Sequence, residues 1–189
     1  MPSSISVDLV FNRFIENFQP DDIAINNAYG LFFVREDADY LKIIHGLKYN
    51  GFRRIGKEFG KELGNKLVKE VSLLYDGIVP VPIHHARLRE RGFNQSEIIA
   101  ESISEVLNVP VVKPIKRRIY TPTQTQLSKS ERKVNLIDAI VPADNSMKLT
   151  GNFLLIDDVL TTGSTINECA TIMLQMGAIR VDCAVLAVA

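Results

Sequence analysis

The residues in this chain with the clearest chemical potential read Phe-Leu-Leu-Ile-Asp-Asp-Val-Leu-Thr-Thr-Gly-Ser-Thr, positions 153–165. The apolar run predicts a buried strand over 153–157 that delivers Asp157 and Asp158 to its carboxyl end. The turn Thr161, Thr162, Gly163, Ser164, Thr165 is then predicted to open a helix over 165–176. A helix start carries unpaired N–H groups and partial positive charge. Four hydroxyls add donors at the same point, and Gly163 lets the backbone come close, so the turn suits a phosphate dianion without Lys or Arg. Two carboxylates would repel a phosphate in their own cradle. They make sense facing another part of the same ligand, either sugar hydroxyls or a Mg²⁺ ion. A phosphate at one end and a diol at the other describe a ribose 5-phosphate. The plainer alternative is a strand–turn–helix whose hydroxyls and acids only cap the helix.

The elements around this run have an α/β rhythm. Residues 76–83 form a short apolar run broken by Pro80 and Pro82, and a helix over 94–107 follows, with Asn94 as N-cap and Glu97 three residues on. Strands are predicted over 110–115, 139–142 and 181–189. Such alternation predicts a central, mostly parallel sheet flanked by helices, with the ligand site beyond the carboxyl ends of the strands. The rhythm differs before residue 76. A one-sided apolar helix is predicted over 7–18, a strand over 29–34, and a helix over 54–74. Gly56, Gly60 and Gly64 lie four apart in that last helix, where each costs about 1 kcal/mol against Ala, so they predict close backbone packing. The boundary is placed there: 1–75 as an N-terminal appendage, 76–189 as the core.

Composition narrows the class. The 189 residues are 46% hydrophobic and 23% charged, which suits a globular domain. Twenty-two basic and 22 acidic side chains give zero formal charge, so bulk positive charge does not drive nucleic-acid binding, although a local basic patch is compatible. No apolar run is long enough for a membrane helix, and the N-terminus has no secretory pattern, so a soluble cytoplasmic protein is expected. Cys169 and Cys183 fit core positions and cannot build a zinc site alone, so no zinc is expected.

The 153–165 run resembles the phosphoribosyl pyrophosphate (PRPP) motif of type I phosphoribosyltransferases. Two further segments narrow the family: Val-Pro-Val-Pro-Ile-His-His-Ala-Arg-Leu-Arg-Glu-Arg-Gly-Phe-Asn-Gln at 79–95, and Thr-Pro-Thr-Gln-Thr-Gln-Leu-Ser-Lys-Ser-Glu-Arg-Lys-Val-Asn at 121–135. Together they resemble the ComF family of phosphoribosyltransferase-like proteins over residues 40 to 189. The resemblance implies the type I phosphoribosyltransferase fold with an N-terminal helical or hairpin hood within 1–75. It implies that Thr161, Thr162, Gly163, Ser164 and Thr165 hold the 5-phosphate, and that Asp157 and Asp158 contact the ribose hydroxyls. Val81 and Pro82 of the Pro-Val-Pro loop, with Arg87 and Arg91, would touch pyrophosphate. The physical counterpart is that prolines fix this backbone so that N–H groups face an anion. The arginines 87, 89 and 91 read equally well as a solvated charged stretch. Residues 116–135, rich in Lys and Arg, would form a flap over PRPP that excludes water, with Gln124, Ser128, Lys129 and Arg132 as its contacts.

The implied activity is transfer of ribose 5-phosphate from PRPP to a nitrogen acceptor, a nucleobase or amine, with release of pyrophosphate. Mg²⁺ is expected to arrive with PRPP, with Asp157 and Asp158 as its candidate protein contacts. The competing function is a non-catalytic PRPP-binding or single-stranded-DNA-binding accessory protein for DNA uptake, with competence proteins as partners. Many ComF relatives carry an N-terminal zinc ribbon of Cys-x-x-Cys pairs, and this sequence has none. The apolar N-terminal helix leaves room for a homodimer. His84 and His85 lack the partners a metal site needs, which suggests a surface or hydrogen-bonding role. Residues 51–57 imitate a P-loop, but Glu58 stands where the Mg²⁺-binding hydroxyl belongs, so nucleotide hydrolysis there is rejected.

Overall fold

In a computed structural model, the structure describes residues 7–33, 52–118 and 139–189. Four parallel strands make the central sheet in the order β1 (Ala28–Phe33), β6 (Arg180–Val188), β5 (Asn152–Leu160), β2 (Gly77–Pro80). Helices α1 (Val7–Ile15) and α5 (Ser164–Gln175) cover one face. Helices α2 (Phe52–Glu70) and α4 (Gln95–Leu107) cover the other. A seven-residue helix, α3 (His85–Arg91), follows β2, and a two-stranded antiparallel ribbon pairs β3 (Ile115–Arg117) with β4 (Ile140–Pro142).

Alternation along the strands sorts the core into two layers. Phe153, Leu155, Val181, Cys183 and Val185 pack with Phe14, Ile166, Cys169 and Met173, whereas Leu154, Ile156 and Ala184 pack with Leu63, Leu67, Ile99 and Ile103. With both faces covered, β5 and β6 are near-continuous apolar runs, as a doubly covered parallel sheet requires. Both cysteines are free and buried, as expected for core positions.

Several boundaries differ from the sequence expectation. The 110–115 segment makes only an isolated bridge, Val111 with Ile78, before β3 begins at Ile115. Pro110 and Pro114 have no N–H to donate, which prevents a continuous ladder. Their carbonyls instead accept from Ile78 and Ala143. The rhythm change near residue 76 marks the passage from α2 to β2 and not a gap in packing. β1 pairs with β6 inside the main sheet, and α1 and α2 supply both cores.

Gly60 and Gly64 of α2 pack closely against α4. A Cβ on Gly60 would lie 2.8 Å from the Ser102 Cβ and 3.1 Å from the Ile99 carbonyl oxygen, and one on Gly64 would lie 2.9 Å from the Val106 Cβ. At the opposite end of the sheet from the acids, Asp182 is 1% exposed. It accepts from the Tyr75 hydroxyl (2.7 Å), the Asn27 N–H (3.0 Å) and the Arg180 Nε (2.9 Å), so the buried carboxylate is fully engaged.

The α2–α4 contact gives a direct prediction. Gly60→Ala should destabilise by about 1–3 kcal/mol, because overpacking against backbone outweighs the ~1 kcal/mol gain in helix propensity. Urea denaturation checks it, and a stabilised variant would mean the helices are not in close contact.

Candidate functional site

β5 does not end at its acids. It continues to Leu160, paired with β6 up to Val188, so Asp157 and Asp158 lie within the strand, past its midpoint. The turn then has only three residues before α5 starts at Ser164, one position earlier than expected. Gly163 is the N-cap, with φ of 77°, a left-handed conformation that favours glycine. A Cβ there would also sit 2.6 Å from the Cε1 of Phe14, so the turn rests directly on the N-terminal helix.

An N-cap glycine has no side chain to satisfy the first N–H groups of the helix. The local hydroxyls are arranged around them. Thr162 Oγ1 lies 2.9 Å from Ser164 Oγ and accepts a long bond, 3.4 Å, from the Ser164 N–H. The turn encloses a cavity of about 50 Å³ lined by Asp157, Val159, Leu160 and residues 161–166. That is the room of a few waters, and of a phosphate. Among the described residues no Lys or Arg lines it, so backbone dipoles and hydroxyls are what it offers to an anion.

Asp157 lies on the cavity wall, whereas Asp158 lies beside it and outside the lining. The Asp157 Oδ1 accepts from Ser96 Oγ (2.9 Å) and from the Asp158 N–H (2.9 Å). Burial, followed by the neighbouring Asp158 charge, pushes the Asp157 carboxyl up to about 8, against the pull of those two donors. Ser96 was missed by the sequence reading. It is the second residue of α4, and only the fold brings it to an acid 61 positions away.

The pyrophosphate side departs from expectation. Val81 donates its N–H to the Ile156 carbonyl (2.9 Å), and its own carbonyl accepts from Asn94 Nδ2 (3.0 Å). Pro82 has no N–H at all. Sheet pairing thus continues one residue past β2, and Val81 and Pro82 shape the loop without offering donors to an anion. Asn94 acts as the predicted N-cap, accepting from the Ser96 N–H at 3.2 Å, and so joins the start of α4 to this loop. Glu97 does not complete a capping box, because it pairs with Lys113.

The arginine stretch is helical. Gly92, with φ of 76°, ends α3, and Arg87 and Arg91 share its half-buried side while Arg89 is exposed. Arg91 donates to Gln95 Oε1 (3.4 Å). Arg117 of β3, a residue outside the predicted site set, is held below the ordinary arginine range by burial and then by the charge of Arg87. The half-buried Arg117 also feels the charges of Glu168 and Asp157. The expected flap contacts Gln124, Ser128, Lys129 and Arg132 lie outside the described residues. Among the described residues, no helix is long and apolar enough to cross a membrane.

Comparison with known proteins agrees with this geometry. The phosphoribosyl transferase domain model matches residues 94–188, which contain Asn94, Ser96, both acids and the phosphate turn. Competence protein F of Haemophilus influenzae is 36% identical over 106 residues, covering 55% of this chain and 46% of its own length. The DNA utilization protein YhgH of Escherichia coli is 34% identical over 152 residues, covering 74% and 63%, and competence protein ComFC of Bacillus subtilis is 28% identical over 130 residues, covering 69% and 51%. The chain thus spans about half to three fifths of the length of these curated relatives. Among solved structures, a purine phosphoribosyltransferase from Pyrococcus horikoshii aligns with a TM-score of 0.42 and 16% identity, covering 84% of this chain and 78% of that one. Glutamine PRPP amidotransferase from B. subtilis aligns at 0.46 and 19%, covering 68% and 26%. With the domain model over half its residues, and these curated relatives beside it, the chain belongs to the phosphoribosyltransferase domain family as a ComF-type, phosphoribosyltransferase-like protein.

Proposed function

We propose that this protein binds PRPP and transfers its ribose 5-phosphate to a nitrogen nucleophile, a nucleobase or an amine, with release of pyrophosphate. The observation that carries this reading is the phosphate-sized cavity at the start of α5 with Asp157 on its wall. A 5-phosphate in the turn leaves the ribose ring within the acids' side of the site. Ser96 and the Asp158 N–H both hold one oxygen of Asp157, which fixes the carboxyl before substrate arrives. As the C1–oxygen bond to pyrophosphate breaks and the acceptor nitrogen bonds to C1, positive charge builds on the ring. That charge favours the ionised form of Asp157, and the oriented carboxylate then stabilises it.

Mg²⁺ is the cofactor this chemistry implies, and the donors present fit it. Asp157 and Asp158 offer adjacent hard oxygens, and the raised Asp157 carboxyl marks a place short of positive charge. Among the described residues, no group of three or more His, Cys, Asp and Glu could hold a metal unaided. That suits an ion which takes one or two carboxylates and completes its shell with phosphate oxygens and water. When bound, it would neutralise charge on the departing pyrophosphate.

A second reading, a binding protein that handles single-stranded DNA, is favoured by two facts. The relatives bear competence and DNA-utilization names. Arg89, Lys113 and Lys116 also lie exposed on neighbouring elements. Contacts through these side chains would weaken with salt at a log–log slope of about −0.7 per phosphate engaged. Fluorescence anisotropy with an oligonucleotide across a salt series checks it, and a flat response or no binding would remove this reading.

The PRPP reading makes two predictions. Asp158→Asn should weaken PRPP binding about tenfold or more in calorimetry, with the melting temperature almost unchanged, since Asp158 is outside the buried core. Loss of folding would instead make the residue structural. The second concerns protons. With its carboxyl raised in the folded state, Asp157 holds a proton that the unfolded chain has released, so it subtracts stability as pH rises from about 4 to about 8. Asp157→Asn should therefore gain in melting temperature over the unliganded parent across that window while losing PRPP binding. A constant difference between the two at all pH values would refute the raised carboxyl.

A further inference from the structure

The hydrogen bonds beside Asp157 close into a ring that runs through three segments of the chain. Val81, one residue past β2, donates its N–H to the Ile156 carbonyl of β5 (2.9 Å). The next residue of β5 is Asp157, whose Oδ1 accepts from Ser96 Oγ (2.9 Å). Ser96 donates its own N–H to Asn94 Oδ1 (3.2 Å). Asn94 Nδ2 then donates to the Val81 carbonyl (3.0 Å), where the ring began. Val81, Asn94 and Ser96 are all buried, so a member left unpaired would bear the desolvation penalty in full.

Asn94 does two jobs in this ring. Its backbone is extended, with φ of −100° and ψ of 121°, and its side-chain oxygen caps α4. Capping alone could be done by Asp, Ser or Thr. Asp has no hydrogen to give the Val81 carbonyl, and the single oxygen of Ser or Thr would have to reach both partners from one point. An amide carries its acceptor and its donors on separate atoms, so Asn joins the helix start to the loop after β2 while it caps. Ser96 lies two residues on, in the first turn of α4. A serine hydroxyl rotates among three staggered positions, and its reach to Asp157 depends on where that first turn is held against β5.

We infer that Asn94 is a positioning residue for Asp157 that acts through Ser96: by tying the first turn of α4 to the Val81 carbonyl, it sets the serine hydroxyl on the carboxyl group assigned to the ribose of PRPP. This assignment rests on the PRPP reading. It gives the Pro-Val-Pro loop a part in the site without asking Val81 or Pro82 to touch the ligand. The sugar's bonds to Asp157 then depend on a residue that itself touches no ligand atom. The phosphate turn does not, because it is shaped by Gly163 at the start of α5 and by the ring of Phe14.

The test uses two probes on the full chain, ribose 5-phosphate and inorganic phosphate, by calorimetry. Ser96→Ala should lose about tenfold in ribose 5-phosphate affinity while inorganic phosphate stays within about twofold. Ser96→Thr keeps the hydroxyl and should recover most of the loss. Asn94→Ser keeps a capping oxygen but gives up the bond to Val81, and should show the same selectivity with a loss of about fivefold. The double variant decides the route. If Asn94 acts through Ser96, Asn94→Ser combined with Ser96→Ala should bind no worse than Ser96→Ala alone, whereas independent effects would multiply. Should Asn94→Ser not fold, Asn94→Asp takes its place in the cycle, since it also caps and lacks the donor. Multiplying losses, equal loss of both probes, or no selective loss in either single variant would overturn the role of Asn94 and leave the PRPP reading standing. A parent protein that binds neither ribose 5-phosphate nor PRPP with Mg²⁺ would overturn the PRPP reading itself, and this inference with it.

Discussion

The turn between β5 and α5 exists in its observed shape because position 163 has no side chain. Its backbone is left-handed, with φ of 77°, and the space a Cβ would fill is taken by the ring of Phe14. Two independent demands, one torsional and one steric, converge on the same glycine. If either failed, the first turn of α5 would shift, and its unpaired N–H groups would no longer converge on a small volume. The cavity at this turn is therefore a product of packing as much as of local sequence, with Phe14 of the N-terminal helix packed against the glycine that shapes it.

A second constraint follows from where the acids sit. Because β5 continues beyond them to Leu160, still paired with β6, they belong to a strand and not to a loop end. That position has an electrostatic cost. Burial and then the neighbouring Asp158 charge drive the Asp157 carboxyl up to about 8. Ser96 limits that cost without abolishing it. The unliganded site thus keeps an acid in an unfavourable state that a cationic or hydroxyl-bearing ligand would improve, a common trade of stability for function.

On the other flank, the structure departs from the expected loop. The sequence suggested a loop whose backbone donors face an anion, but the sheet has already claimed the Val81 N–H. The arginines of that flank come from separate elements, α3 and β3, and Arg117 feels the charge of Arg87 across that distance in sequence.

The local rules were legible from the residues themselves. The run 153–157 reads as a buried strand, Asn94 could be read as an N-cap, and Thr-Thr-Gly-Ser-Thr at a helix start predicts an anion cradle because hydroxyls and orphan N–H groups act within one turn. Gly60 and Gly64 announced a close helix contact but not their partner, α4. What tertiary structure alone decided are relations between distant residues: Ser96 on Asp157, Phe14 beneath Gly163, Glu168 on the Ile140 N–H. Periodicity and capping act over three or four residues and leave a trace in any sequence. A hydrogen bond across 61 positions depends on how whole layers pack, and no short pattern records it.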